Sequence, residues 1–389
     1  MRFLTLIYFR YTPLTVKVFQ DFYMQAVLDV GINIEYWDLS PLFFPNITGQ
    51  EDSSYLLGHR VIKLESYAEI EQRIQQQQLS STLFLSIVTY NHLVIRLFRL
   101  LTDYKCTLGV FGRNMCPTTS LSASNFVHKL FGITWNKIRN RWYNRLALRL
   151  KTNGTIRKYD IIFQGGTKGY KGVGIGLNEE LQQANVIEVN SDDYDRYLLL
   201  RNAPRAIKTE YILFLDEYLP LHPDTVLFKI KNTDPDKYYA ELNAYFDRIE
   251  AKFGLPVVVA AHPKAIQYKE VNYFYGRRVE FGLTGLLVRD ARFVLAHNST
   301  AISYVIAFGR PLHLITSHMI EQKLYSVHQH VVVLSDYLNC NWQYMDDNGP
   351  IEIADISLQR YEQYKYDFLC SSQTKCTTTE TIFINYLLM

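Results

Sequence analysis

Val257-Val-Val-Ala-Ala-His-Pro-Lys264 is the stretch on which the fold turns. Five apolar residues run together and stop at a His-Pro pair. An unbroken apolar run of this length suits a strand covered on both faces, as in a parallel sheet. Upstream, Asp236–Phe253 carries helical spacing and is stopped by Gly254 and Pro256. Further upstream lies a second apolar run, Tyr211–Leu215. Strand, long helix and strand in this order form a crossover unit.

The same alternation extends in both directions. Downstream, Phe293–His297 reads as a strand, followed by a helix over about 299–308 that Gly309 ends. Pro311–Ile315 is the next strand, and helix-like segments at about 318–325 and 357–370 close the chain. In the N-terminal half, residues 2–9, 32–37, 83–89, 106–111, 159–163 and 186–189 are β-like. Helical spacing lies between them at 14–29 and 92–103. The expectation is α/β: two doubly wound Rossmann-like domains, 1–205 and 206–389, with a cleft between them. The last helix is able to pack back on the first domain.

Composition agrees. At roughly 150 residues per domain, 389 residues make two or three domains. With 48% hydrophobic and 20% charged residues, the chain has a globular balance and is not disordered. The 41 Lys and Arg against 38 Asp and Glu leave a net of +3, which excludes nucleic-acid binding through global charge. That balance is local, however. Residues 129–158 hold nine Lys or Arg and no acid, so nine cations against a net of +3 leave −6 for the rest. Trp135, Trp142, Tyr143, Leu146, Leu148 and Leu150 are interleaved with those cations. Such a segment suits an anionic membrane surface, an RNA or simply a solvated helix face. The five cysteines show no zinc spacing. No leader and no apolar stretch of ~18 residues is read, so the expected location is cytoplasmic, or peripheral on the inner face of the membrane.

In doubly wound domains, ligands meet the carboxyl ends of strands. His262, Pro263 and Lys264 stand at such an end. A histidine there can hold a phosphate or protonate a leaving group, and a packing or capping histidine reads the same way. Asn298-Ser299-Thr300 follows the strand Phe293–His297, where capping and phosphate binding both fit. Asp216 and Glu217 follow Tyr211–Leu215, as candidate acid, base or nucleophile, or as turn residues. Gln164-Gly165-Gly166 opens a glycine-rich loop that reaches Gly176 and matches neither dinucleotide nor P-loop spacing. The Asp-x-Asp within Ser191-Asp-Asp-Tyr-Asp195 and that of Asp234-Pro-Asp236 would suit a divalent metal with a diphosphate, but the spacing is common and solvated turns fit it better. No metal and no cofactor are expected.

A His-Pro pair after one strand and a Ser-Thr pair 37 residues later resembles the donor-site motifs of bacterial GT-B glycosyltransferases that use CMP-activated sugars. These are the sialyltransferases and the Kdo transferases of capsule and lipopolysaccharide assembly. The resemblance covers about 100 residues, from Tyr211 to Asp224, Val257 to Lys264 and Thr284 to Pro311. It implies that His262 assists departure of the CMP phosphate, with Ser299 and Thr300 holding it beside Asn298, Pro263 and Lys264. It implies transfer of an ulosonic acid (Kdo, sialic or pseudaminic type) to a glycan or lipid-linked glycan acceptor. The acidic-pair-Gly base motif of inverting sialyltransferases is absent, since Asp192-Asp193 leads to Tyr194 and Asp346-Asp347 to Asn348. The retaining Kdo-type enzymes are the nearer likeness, with Asp216 then below the sugar and Glu217 as its alternate. Gln164, Gly165 and Gly166 would lie towards the acceptor. The alternatives are a UDP- or GDP-sugar or CDP-polyol donor, a sugar-nucleotide 2-epimerase, and a non-catalytic glycan- or lipid-binding subunit.

Overall fold

The computed structural model describes residues 3–45, 51–117, 135–173, 178–222 and 232–389. The chain forms two compact units. Of the described residues, one holds those up to Met115, those from Trp135 to Asp192 and Asp367–Met389, and the other holds Cys116, Pro117 and Asp193–Tyr366.

The first unit holds a seven-stranded parallel sheet: β1 (Thr5–Arg10), β2 (Asn33–Asp38), β3 (Val61–Lys63), β4 (Thr82–Ser86), β5 (Thr107–Gly112), β6 (Ile161–Gly165) and β7 (Asn185–Val189). Their order is β3-β2-β1-β4-β5-β6-β7. Alternate residues of β1 feed two cores. Ile7 and Phe9 pack with Trp37, Phe84 and Phe98 on one face. Leu6 and Tyr8 pack with Tyr36, Phe111 and Phe163 on the other. Period-two alternation thus places apolar side chains on both faces, as a sheet covered on both sides requires. The long basic helix α1 (Trp135–Thr152) precedes β6.

The second unit holds six parallel strands: β8 (Ile212–Leu215), β9 (Val257–Ala260), β10 (Arg278–Glu280), β11 (Val294–Ala296), β12 (Leu312–Thr316) and β13 (Trp342–Tyr344). Their order is β10-β9-β8-β11-β12-β13. Helix α2 (Pro235–Phe253) links β8 to β9. Its ends follow elementary rules: Asp234 accepts the Lys237 N–H at 2.9 Å, Pro235 opens the first turn, and Gly254 closes it at φ 65°. Helix α3 (Ile302–Ala307) follows β11, and α4 (Tyr325–Leu338) lies between β12 and β13.

The expected pair of doubly wound, Rossmann-like α/β domains is therefore present. The division falls at 192/193 and 366/367, whereas the sequence alone sets it at 205/206. The reason lies in contacts of the segment after β7. Tyr197 packs edge-on against Phe308, and Arg289 donates to the carbonyls of Leu200, Ala203 and Pro204. The last helix, α5 (Thr379–Leu388), belongs to the first unit. Phe383 meets Phe111 and Phe163 there, and the Asn185 side chain donates to the Tyr386 hydroxyl at 3.1 Å. Among the described residues no helix is long and apolar enough to cross a membrane.

Candidate active site at the strand ends of the second sheet

In the second sheet, β8, β9 and β10 follow one another outward, and the chain then returns to add β11 on the other side of β8. The winding reverses between β8 and β11, the position at which such sheets open their ligand crevice. Leu215 pairs with Ala260 of β9 and with Ala296 of β11. The next residues are Asp216-Glu217, Ala261-His262 and His297-Asn298. Three motifs far apart in sequence thus emerge side by side, at the strand spacing of about 4.8 Å.

Asp216 is buried and engaged on both oxygens. Oδ1 accepts the Tyr218 N–H at 3.1 Å and the Tyr268 hydroxyl at 3.2 Å. Oδ2 accepts the His262 N–H at 3.2 Å. Burial pushes its carboxyl up to about 6, while these donors pull it back. Asp216 thereby ties the end of β8 to the start of the His262 turn.

Glu217 is only partly covered. Its Oε1 accepts the Asn298 N–H at 2.6 Å, and the Ser299 N–H also favours its charged form. Burial nevertheless outweighs both donors and pushes the carboxyl up to about 8, with the nearby Asp216 adding to the rise. Backbone N–H groups expected to meet a phosphate therefore face an acidic side chain of the same chain. Ser299 and Thr300 form the turn ahead of α3, whose first residue is Ile302. Ser299 Oγ accepts the Ala301 N–H at 3.3 Å, and Thr300 is exposed.

The Asn298 amide lies between Glu217 and the ring of His330 on α4, 3.2 Å from His330 Nδ1. Two orientations match two proton placements. With Glu217 ionised, the amide N–H donates to it and the amide oxygen accepts from His330 Nδ1–H. With Glu217 neutral, its O–H donates to the amide oxygen and the amide N–H donates to an unprotonated Nδ1. Burial lowers the affinity of His330 for a proton, so the ring is neutral in both states and they differ in which ring nitrogen carries the hydrogen. His330 was not singled out from the sequence. It lies inside a helix, away from any strand end, and its only signal is the His328-x-His330 spacing.

His262 is half-buried. Its Nδ1 accepts the Lys264 N–H at 3.2 Å, so in the neutral ring the proton sits on Nε2, which is a donor. The His222 ring lies edge-on to it, centroids 5.0 Å apart. Pro263 and Lys264 form an exposed turn that leads into a single 3-10 turn, Ile266–Lys269. His297, the residue before Asn298, serves the core. It is bonded to the Tyr238 hydroxyl at 2.8 Å and the Ile315 carbonyl at 2.7 Å, and burial pushes it down to about 4.

Gln164, Gly165 and Gly166 end β6 in the first unit. Gly166 has φ +66°, and a Cβ there would stand 2.7 Å from the Asp367 backbone. A Cβ on Gly165 would stand 2.8 Å from Arg113 Cβ. The close approach that needs glycine is thus made by the chain itself. The Gln164 amide N–H donates to the Gly166 carbonyl at 3.0 Å, and Oε1 is buried with no partner among the described residues. Gly174 and Gly176 of this loop, Asp224, and Lys129 lie outside the described residues. Asp192 pairs with Arg113 at 2.9 Å. Among the described residues no three His, Cys, Asp or Glu side chains gather as a metal site.

No protein-family model matches the chain, and no curated protein does. Solved structures with a similar course include apo UGT2 of Phytolacca americana, at 10% identity and a TM-score of 0.49 over 99% of this chain and 100% of that one. The UDP-GlcNAc 2-epimerase of Methanocaldococcus jannaschii shows 10% identity and a TM-score of 0.46 over 99% of each chain. CalG4, the calicheamicin glycosyltransferase, shows 11% and 0.41 over 99% and 95%.

Proposed function

We propose that the chain is a glycosyltransferase that draws its sugar from a nucleotide donor at the strand ends of β8, β9 and β11. One observation carries the reading. The switch point of a Rossmann-like sheet places side by side a histidine whose Nδ1 accepts a backbone N–H and so leaves the ring proton on Nε2, His262, and a carboxyl held near the neutral range, Glu217. Glycosyl transfer needs both kinds of group. A leaving phosphate must have its charge met as the C–O bond breaks, and the acceptor hydroxyl must give up a proton as its own C–O bond forms.

On this reading His262 Nε2–H faces the leaving phosphate, with Lys264, Ser299 and Thr300 beside it. Glu217 exchanges the proton of the acceptor hydroxyl, because a group with pKa close to ambient pH is both competent and populated in either form. Asp216 acts through position: it holds the His262 turn and Tyr268. The acceptor is a glycan or a lipid-linked glycan. The donor of the first reading is a CMP-linked ulosonic acid, as the resemblance implies. The second reading keeps the residues and takes a UDP-sugar, either for transfer or for 2-epimerisation.

A thermal-shift panel of nucleotides on wild type and His262→Ala separates the readings. CMP or CTP raising the melting temperature of wild type supports the first, and UDP supports the second. His262→Ala should stay folded and lose turnover by about 10²- to 10⁴-fold. A product formed without any acceptor identifies an epimerase. Wild-type turnover in His262→Ala, or no response to any nucleotide, overturns the assignment.

A further inference from the structure

Helix α1 is fixed to the first unit by one narrow face. Ala147 and Lys151 are buried. Lys151 pairs with Glu180 at 2.6 Å and lies over the rings of Tyr90 and Tyr159. Asn144 Oδ1 accepts the backbone N–H of His92 at 3.1 Å, and the His92 ring stacks on Tyr143. At 100° per residue, the direction opposite Ala147 is taken by Trp142, Arg145 and Arg149, with Arg141 and Leu146 to either side.

That outward face is unusual for a solvated helix. Trp142 is 61% exposed and Leu146 39%. Arg139, Arg141, Arg145 and Arg149 are exposed as well. Among the described residues none of these four arginines has an ion pair. Glu180 is paired with Lys151 at 2.6 Å, and Asp160 with Arg157. A helix kept for solubility carries mixed charge and few large apolar groups. Here the acids are missing and an indole and a leucine stand out among the arginines. At a bilayer interface every one of these has a use. Guanidinium groups meet lipid phosphates, the indole sits at headgroup level, and the leucine enters the acyl boundary.

We infer that the outward face of α1, centred on Trp142, Arg145 and Arg149, docks on an anionic lipid bilayer. The helix, about 27 Å long, lies along the surface and does not cross it. Lipid is favoured over RNA because Leu146 has no role against phosphate and base, whereas it has one against acyl chains. The inference stands apart from the nucleotide reading, since it uses none of the residues at the ends of β8, β9 and β11.

Co-sedimentation of the full chain with vesicles tests it. Vesicles of equal phosphatidylcholine and phosphatidylglycerol should bind the protein, vesicles of phosphatidylcholine alone should not, and added salt should release it. Arg145→Glu with Arg149→Glu should lower partitioning by more than tenfold, at roughly fivefold for each basic group near an anionic surface. The emission of Trp142 should shift to the blue on binding, and Trp142→Phe should silence that shift. All variants should keep the wild-type melting temperature and nucleotide response, so failure here is distinct from failure at the donor site. Equal binding to both vesicle types, no binding, or binding to an RNA oligomer with none to vesicles overturns the inference.

Discussion

Glu217 is the residue of the site whose carboxyl lies furthest from the ordinary carboxylate range. Its carboxyl rises from 4.5 to about 8, and that of Asp216 from 3.8 to about 6. The direction fixes the effect on stability. Between the unfolded and folded values the native state binds a proton that the unfolded state has lost. Stability is therefore complete below about pH 4 and declines as pH rises towards 8, by at most about 1.4 kcal/mol per pH unit for each group. Glu217→Gln removes the larger share of this dependence. Urea unfolding at pH 5, 6, 7 and 8 should show a declining wild type and a flatter variant; equal slopes would show that Glu217 is ionised throughout. Asp216 and Glu217 themselves were visible in the sequence, as carboxylates after an apolar run. Their shift was not, because it comes from burial, which depends on how other elements cover these side chains and which the donors Asn298 and Tyr268 only partly offset.

At the scale of elements, the site is held by links between strand ends. Asp216 joins β8 to the turn after β9 through the N–H of His262, and it also takes the hydroxyl of Tyr268, itself bonded to Tyr239 of α2 at 2.7 Å. Removing the carboxyl takes the acceptor from the Tyr218 N–H, the half-buried His262 N–H and the Tyr268 hydroxyl, which keeps only Tyr239, and a buried donor left unpaired costs about 1–3 kcal/mol. Asp216→Ala should lower stability by about 3–5 kcal/mol, and Asp216→Asn by less, since its amide oxygen still accepts. Denaturant midpoints measure both, and a loss below about 1 kcal/mol for the alanine variant would remove Asp216 from this linking role. Central strands such as Val257–Ala260 were legible because burial on both faces writes an unbroken apolar run. The edge strands β3, β10 and β13 were not. Each is three residues long, and Arg278-Val-Glu280 and Trp342-Gln-Tyr344 carry polar or half-exposed side chains that no pattern distinguishes from loop. The helical spacing over 14–29 likewise hid a break, for Tyr23 takes φ 56° between two short helices.

At the scale of the whole molecule, the last stretch of chain completes the first unit and not the second. Asp367 binds the Gly166 turn, where its Oδ2 pairs with Lys168 at 2.6 Å and its carbonyl accepts the Lys168 N–H at 2.8 Å. Beyond it, Thr379 Oγ1 accepts the Asn190 N–H at 2.9 Å, and Phe383 is fully buried against Phe111 and Phe163. A first unit that depends on residues nearly 200 positions away cannot finish folding until the second has been made. Phe383→Ala cuts this dependence at its apolar centre and should cost about 3–5 kcal/mol, the usual loss for a buried aromatic ring. The loss should be local. Hydrogen exchange should quicken in β5, β6 and β7 of the first sheet, while β8, β9 and β11 keep their protection and their nucleotide response. Faster exchange spread equally over both sheets would mean that the two units unfold as one, and that the returning chain stabilises them together.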